Sequence, residues 1–327
     1  MKFFRPLLII CVIFVPILVL AVFMGYIKYP RRPDPVVGYP KHPDAIDQIS
    51  KRVLTNQAIT VEKTITTTDN HQTYLISYPS DNFKLYALMS QPVGTPPEGG
   101  WPVVVVNHGY IPPNHYSTTS SYINTFNYFA SQGFVVLKPD YRGHDNSEGG
   151  PDPILGRLQY AVDVLNLIAD IKSINEANPN KIFLFGHSMG GDVALMVAEA
   201  SPQIKALVLW APAVTTFPEN ITYFMHYHLS KTTDFKKLEE TLNQLISQYG
   251  KDQFSSFSNA TKINIPIILQ QGNADESVPF TWGEALNKHL KSEGKNITFY
   301  QYPSDNHNIS NHWYDALSKD VEFFKSF

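Results

Sequence analysis

Three kinds of apolar pattern follow one another along the chain. The first is an uncharged run at residues 7–24, LLIICVIFVPILVLAVFM. As a helix it would extend about 27 Å, close to the roughly 30 Å of a hydrocarbon core, and it reads as a transmembrane anchor with Pro16 tolerated at its centre. The second pattern is strict alternation. The segments AITVEKTITTT, TYLISYPS and KLYALMSQP alternate apolar with polar residues between the turn signals Asp69-Asn70 and Ser80-Asp81-Asn82. They predict antiparallel strands along one edge of a sheet. The third pattern is continuously apolar: PVVVVNHGY, GFVVLKPDY, KIFLFG, KALVLWAP and IPIILQQG. Strands without a polar face are buried on both sides, which predicts a mostly parallel sheet.

Helical spacing appears between these strands at residues 122–131, 155–174, 192–200 and 282–290. In the longest of these, Leu158, Ala161, Leu165 and Ile168 share one stripe. A further helix is predicted near residues 45–54. Strands alternating with helices imply an α/β fold with a doubly wound sheet, whose ligands bind beyond the carboxyl ends of the strands. An insertion at about residues 214–260, aromatic in its first half and amphipathic in its second, predicts a small helical cap; a packed surface helix pair is the other reading.

Composition adds a few limits. Residues 28–50 are rich in proline and suit a semi-rigid spacer, which leaves 1–27 as the anchor and 51–327 as the folded domain. Net charge is −3 with scattered basic residues, so no nucleic-acid footprint is present. The only cysteine, Cys11, lies in the apolar run, so the domain forms no internal disulfide. A cleaved signal peptide is the rival to the anchor, but no small-x-small cleavage site follows the run. Lys2 and Arg5 precede it while Lys28, Arg31 and Arg32 follow, a weak bias read as placing the domain outside the cytoplasm. Oligomeric state is left open.

The chemistry centres on KIFLFGHSMGGDVALMVAEA, where a buried strand becomes a helix within about six residues. Gly186-His187-Ser188-Met189-Gly190 fits the nucleophile elbow, which lifts a serine hydroxyl clear of the sheet beside a helix N-terminus. A helix cap alone does not explain glycines on both sides of Ser188. A serine needs a base and a carboxylate to orient that base. His307, in PSDNHN after the strand-like ITFYQYP, is the expected base. Asp275, in QQGNADESVP, is the expected acid, with Asp140 as runner-up and Asp305 too close in sequence to His307 to turn toward it. The expected oxyanion donors are the backbone N–H groups of Met189 and Tyr110. His108 reads as a loop organiser. Tyr110, His187, Arg142 and His144 are expected at the substrate, although His187 should point away from the serine; His115, His226 and His228 are placed in loops. No metal-ligand spacing stands out, and no cofactor is required.

Together NHGY, PDYRGHDNSEG, GHSMGG, GNADESVP and DNH, in that order, make the domain resemble the α/β-hydrolase superfamily, and within it the prolyl oligopeptidase catalytic domain and dienelactone-hydrolase-like enzymes. The resemblance covers about residue 58 to the C-terminus and implies a triad of Ser188, Asp275 and His307. The chain is too short for the β-propeller of the full-length oligopeptidases. The expected function is therefore a membrane-tethered serine hydrolase acting on small esters. A serine peptidase acting on short peptides is the alternative, and a catalytically silent binding module on the bilayer is the alternative from another class.

Overall fold

The computed structural model describes residues 39–52, 57–229 and 233–327. The predicted anchor and residues 28–38 of the spacer lie outside the described residues. Among the described residues no helix is long and apolar enough to cross a membrane. Residues 41–327 form one compact unit.

Among the described residues nine strands form one sheet in the order β1-β2-β3-β5-β4-β6-β7-β8-β9. They are β1 Thr60–Thr67, β2 His71–Ser80, β3 Phe83–Pro92, β4 Trp101–Asn107, β5 Val135–Pro139, β6 Ala177–His187, β7 Ile204–Trp210, β8 Ile267–Gly272 and β9 Ile297–Tyr302. The three alternating segments pair antiparallel at one edge, and β3 joins β5 antiparallel; every later pairing is parallel. The helices are α1 Ile46–Ile49, α2 Ile123–Ser131, α3 Gly156–Asp170, α4 Met189–Ala200, α5 Glu219–Leu229, α6 Thr233–Tyr249, α7 Ser256–Asn259, α8 Phe280–Ser292 and α9 Trp313–Lys325.

The apolar strands have no polar face because both faces are covered. Successive side chains of a strand point to opposite sides, and β4 divides accordingly. Val103 and Val105 pack with Leu158 and Leu165 of α3 and with Val193 and Val197 of α4. Val104 and Val106 pack with Phe126 and Phe129 of α2 and with Leu317, Val321 and Phe324 of α9. The sheet thus separates two apolar layers.

Four expectations need adjustment. The helix near residues 45–54 is the single turn α1, with residues 53–56 outside the described set. The helix placed at residues 155–174 ends at Asp170 and continues as a 3₁₀ turn, Ile171–Ser173. The helix after the serine starts at Met189 rather than Asp192, because Gly190 and Gly191 lie inside its first turn. The sequence pattern also missed α9, whose buried stripe of Ala316, Leu317, Asp320, Val321 and Phe324 is interrupted by a carboxylate.

The insertion does fold as helices. Phe217 packs beside Phe254, with ring centroids 5.4 Å apart and planes tilted by 50°, and so ties its two ends. Phe224 of α5 packs on the buried group Ala213, Val278 and Trp282, beside the loop that follows β8.

Candidate active site

Strand β6 ends at His187 and α4 begins at Met189, so Ser188 alone makes the corner. Its backbone is forced to φ +56° and ψ −121°, a conformation L-residues avoid. Three main-chain bonds hold it there. Ser188 N–H donates to the Trp210 carbonyl at 2.9 Å, and the Ser188 carbonyl accepts from Gly191 N–H and Ala213 N–H, each at 2.9 Å. Gly190 is needed for space: a Cβ on it would lie 2.2 Å from the Asn107 carbonyl oxygen. That close approach seats α4 on the end of β4. Ser188 is part-exposed at the helix N-terminus, where unpaired N–H groups favour an anion.

The base and acid come from neighbouring strand ends. His307 follows β9 and Asp275 follows β8, and these two strands pair in parallel from Ile267/Ile297 to Gly272/Tyr302. His307 Nδ1 lies 2.9 Å from Asp275 Oδ1 and 3.0 Å from Oδ2. Asp275 also accepts from Gln271 Nε2 and from the N–H groups of Ser277 and Val278, each at 2.9 Å. Burial pushes the Asp275 carboxyl up, but the His307 ring and these main-chain donors outweigh it and hold the carboxyl below its ordinary range. The other carboxylates are engaged elsewhere. Asp305 accepts from its own loop at Asn306, Asn311 and the His312 ring. Asp140 is buried, accepting from the Thr118 hydroxyl at 2.5 Å.

Ser188 and His307 lie on the same rim. His187, the residue before the serine, has its Nε2 3.1 Å from the His307 carbonyl, with the two rings 4.7 Å apart centre to centre. The loop after β4 closes the rim from the other side: a Cβ on Gly109 would stand 3.2 Å from Ser188 Cβ. The next residue, Tyr110, is 57% exposed. Met189, the other expected oxyanion donor, opens α4 directly after Ser188.

Three of the residues expected at the substrate are withdrawn from it. His187, Arg142 and His144 are each 5% exposed or less. His187 is occupied by Tyr122 and His307 at its two nitrogens. Arg142 grips Asp163 through Nε and Nη2, at 3.0 and 2.6 Å, and Asp81 at 2.9 Å, so it fastens the β2–β3 turn to α3. His144 stands edge-on to Tyr116, Tyr141 and Tyr160 inside the molecule. In all three cases a polar residue near a strand end is structural. His108 is a loop organiser as expected, stacked between Tyr116 and Tyr141 with centroids 4.4 and 4.2 Å away. His115 is exposed in its loop, whereas His226 and His228 fall within α5 rather than a loop.

Sequence reasoning passed over Tyr122, Gln271 and Asp192. Gln271 carried a signal, as one of two buried glutamines that follow the apolar start of β8; it holds Asp275. Asp192 is fully buried on α4 and receives Arg157 at 2.8 Å, Asn220 at 3.3 Å and the Ser256 hydroxyl. These donors come from α3, α5 and α7. Among the described residues no group of three or more His, Cys, Asp or Glu is placed to hold a metal ion.

Comparison with known proteins agrees with this architecture. The profile of the Serine aminopeptidase, S33 family matches residues 101–253, and that of the Dienelactone hydrolase family matches residues 230–320. "Uncharacterized peptidase YtmA" of Bacillus subtilis is 26% identical over 180 residues, covering 55% of this chain and 66% of its own length. The chain thus spans just under two thirds of that relative. Human monoglyceride lipase is 28% identical over 252 residues, covering 68% of this chain and 80% of the lipase. The acetyl xylan esterase from Paenibacillus sp. R4 superposes with a TM-score of 0.62 at 18% identity, over 85% of this chain and 91% of that one, and so shares its fold. With five motifs in order, a strained serine at a strand-to-helix corner and these relatives, the chain belongs to the α/β-hydrolase superfamily.

Proposed function

We propose that Ser188, His307 and Asp275 form the catalytic triad of an esterase that works through an acyl-enzyme. One observation carries this reading: the imidazole of His307 is held by Asp275 at 2.9 Å, and its ring lies 4.7 Å, centre to centre, from that of His187, the residue before the β6–α4 corner. A proton on Nδ1, donated to Asp275, leaves the Nε2 lone pair as the base. His307 takes the Ser188 proton as the hydroxyl attacks the ester carbonyl, then returns it to the departing alcohol. Water repeats the sequence to release the acid. The N–H groups of Met189 and Tyr110 receive the developing oxyanion, and losing one such donor costs about 100- to 1,000-fold in turnover.

Esters with a modest acyl or alkyl group are the proposed substrates. Short peptides are a second reading, favoured by the aminopeptidase profile over residues 101–253. A fluorophosphonate probe tests the triad: labelling is expected in the intact chain and absent in Ser188→Ala. A chain that does not label is the silent binding module. Relative rates on a short-chain p-nitrophenyl ester and an aminoacyl p-nitroanilide test the bond type, and faster anilide cleavage overturns the ester assignment. We also propose that residues 7–24 anchor the enzyme in a bilayer with the hydrolase outside. Resistance to alkaline carbonate extraction, together with protease access in intact cells, tests this.

A further inference from the structure

Three hydrogen bonds run in series beneath the site. Gly109 N–H reaches the Tyr122 hydroxyl at 2.9 Å, that hydroxyl meets His187 Nδ1 at 2.5 Å, and His187 Nε2 meets the His307 carbonyl at 3.1 Å. The donors can be assigned without ambiguity. A carbonyl only accepts, so Nε2 carries hydrogen. Burial, then the neighbouring His307, pushes His187 down to about 3, so the ring is neutral and Nδ1 offers a lone pair. The phenol therefore gives its one proton to Nδ1, and its oxygen is left to accept from Gly109. Burial raises the Tyr122 hydroxyl above the usual phenol range, so that proton stays in place.

The chain is also tight at both ends. Gly109 passes between the phenol and the serine, since a Cβ there would lie 2.5 Å from the Tyr122 oxygen and 3.2 Å from Ser188 Cβ. Tyr122 itself occupies φ +56° at the start of α2, a backbone state that a tyrosine adopts only when its surroundings impose it.

We propose that Tyr122 and His187 are positioning residues that lock the oxyanion loop at Gly109 to the main chain of His307, so that acceptor site and base keep one fixed separation around Ser188. The proposal rests on the triad reading. Neither residue touches substrate. The phenol sets the loop and the imidazole sets the base, and each depends on the other through a single shared proton.

The test uses Tyr122→Phe, which keeps the ring and removes only the hydroxyl. On a p-nitrophenyl ester, kcat is expected to fall about 10- to 100-fold with KM within about threefold, a smaller loss than removal of an oxyanion donor. Affinity for an alkyl boronic acid, which mimics the tetrahedral intermediate, should fall in parallel with kcat/KM. His187→Gln, whose amide reproduces the Nε2 donor but not the Nδ1 acceptor, should lose a similar amount and also serves if Tyr122→Phe does not fold. The double variant should cost about as much as the worse single. Unchanged kcat in folded Tyr122→Phe or His187→Gln, or full additivity, overturns the coupling. Ser188→Ala run alongside separates the two readings: if it retains turnover, the triad itself fails, and the coupling with it.

Discussion

At Asp275, burial and hydrogen bonding oppose one another, and the outcome depends on donors from four residues: His307, Gln271, Ser277 and Val278. Asp275→Asn would keep the shape while presenting an amide N–H to the ring, which favours the wrong imidazole tautomer. Steady-state kinetics should show kcat lowered about 10⁴-fold with little change in KM. His187 makes a prediction about pH. Its folded pKa of about 3 lies below the ordinary imidazole value of about 6.5, so the unfolded chain binds the extra proton between those limits. Its contribution to stability is complete above about pH 6.5 and is lost as pH falls toward 3, with a slope of up to about 1.4 kcal/mol per pH unit. Urea titrations at several pH values should therefore show a shallower slope in His187→Gln than in the parent, and equal slopes would contradict a neutral buried ring. At this scale the sequence pointed to residues after strand ends but not to what holds them. The proposed triad of Ser188, Asp275 and His307 was read from motif and position, because each follows a strand. Tyr122 was not, since its role comes from a contact across 65 positions of sequence.

Among the elements, the helix behind the serine has the least freedom. The Gly190 contact with the end of β4 leaves no room for a methyl group, so Gly190→Ala must push α4 away from the Asn107 main chain. We expect loss of folding or of most fluorophosphonate labelling, whereas Gly150→Ala, with open space at its Cβ and no positive φ, should label as the parent does. Strand type was readable directly, because continuous valine in β4 divides between two apolar layers. Helix ends were not, since the stripe rule registers side chains and the first turn of α4 holds two glycines that have none. The insertion's helices were expected from their pattern, but their attachment was not. Asn220 and Ser256 reach back to the buried carboxylate of Asp192, which Arg157 neutralises. Arg157→Met should cost about 3–5 kcal/mol by leaving that charge unpaired, measured by urea unfolding.

For the molecule as a whole, the antiparallel edge is joined to the parallel core by ions as well as by packing. Arg142 bridges Asp81, in the β2–β3 turn, to Asp163 on α3. The motif around Arg142 suggested a substrate contact, because an arginine after a strand end in a loop rich in charged residues carries the same sequence signature whether it faces a cleft or an interior. Only the partners distinguish the cases, and both partners are remote in sequence. The fold class was legible from the order of patterns alone, since alternation, continuity and helical spacing each correspond to a different burial geometry.

The corner at position 188 holds its main chain with bonds that use no part of the side chain. Amide and carbonyl are tied to Trp210, Gly191 and Ala213, and the hydroxyl contributes nothing to the bend. The bend is therefore a mount indifferent to the tool fitted on it. A sulfur atom installed there, as Ser188→Cys, would be delivered to the same point, and with the proposed triad rapid alkylation by iodoacetamide would reveal it.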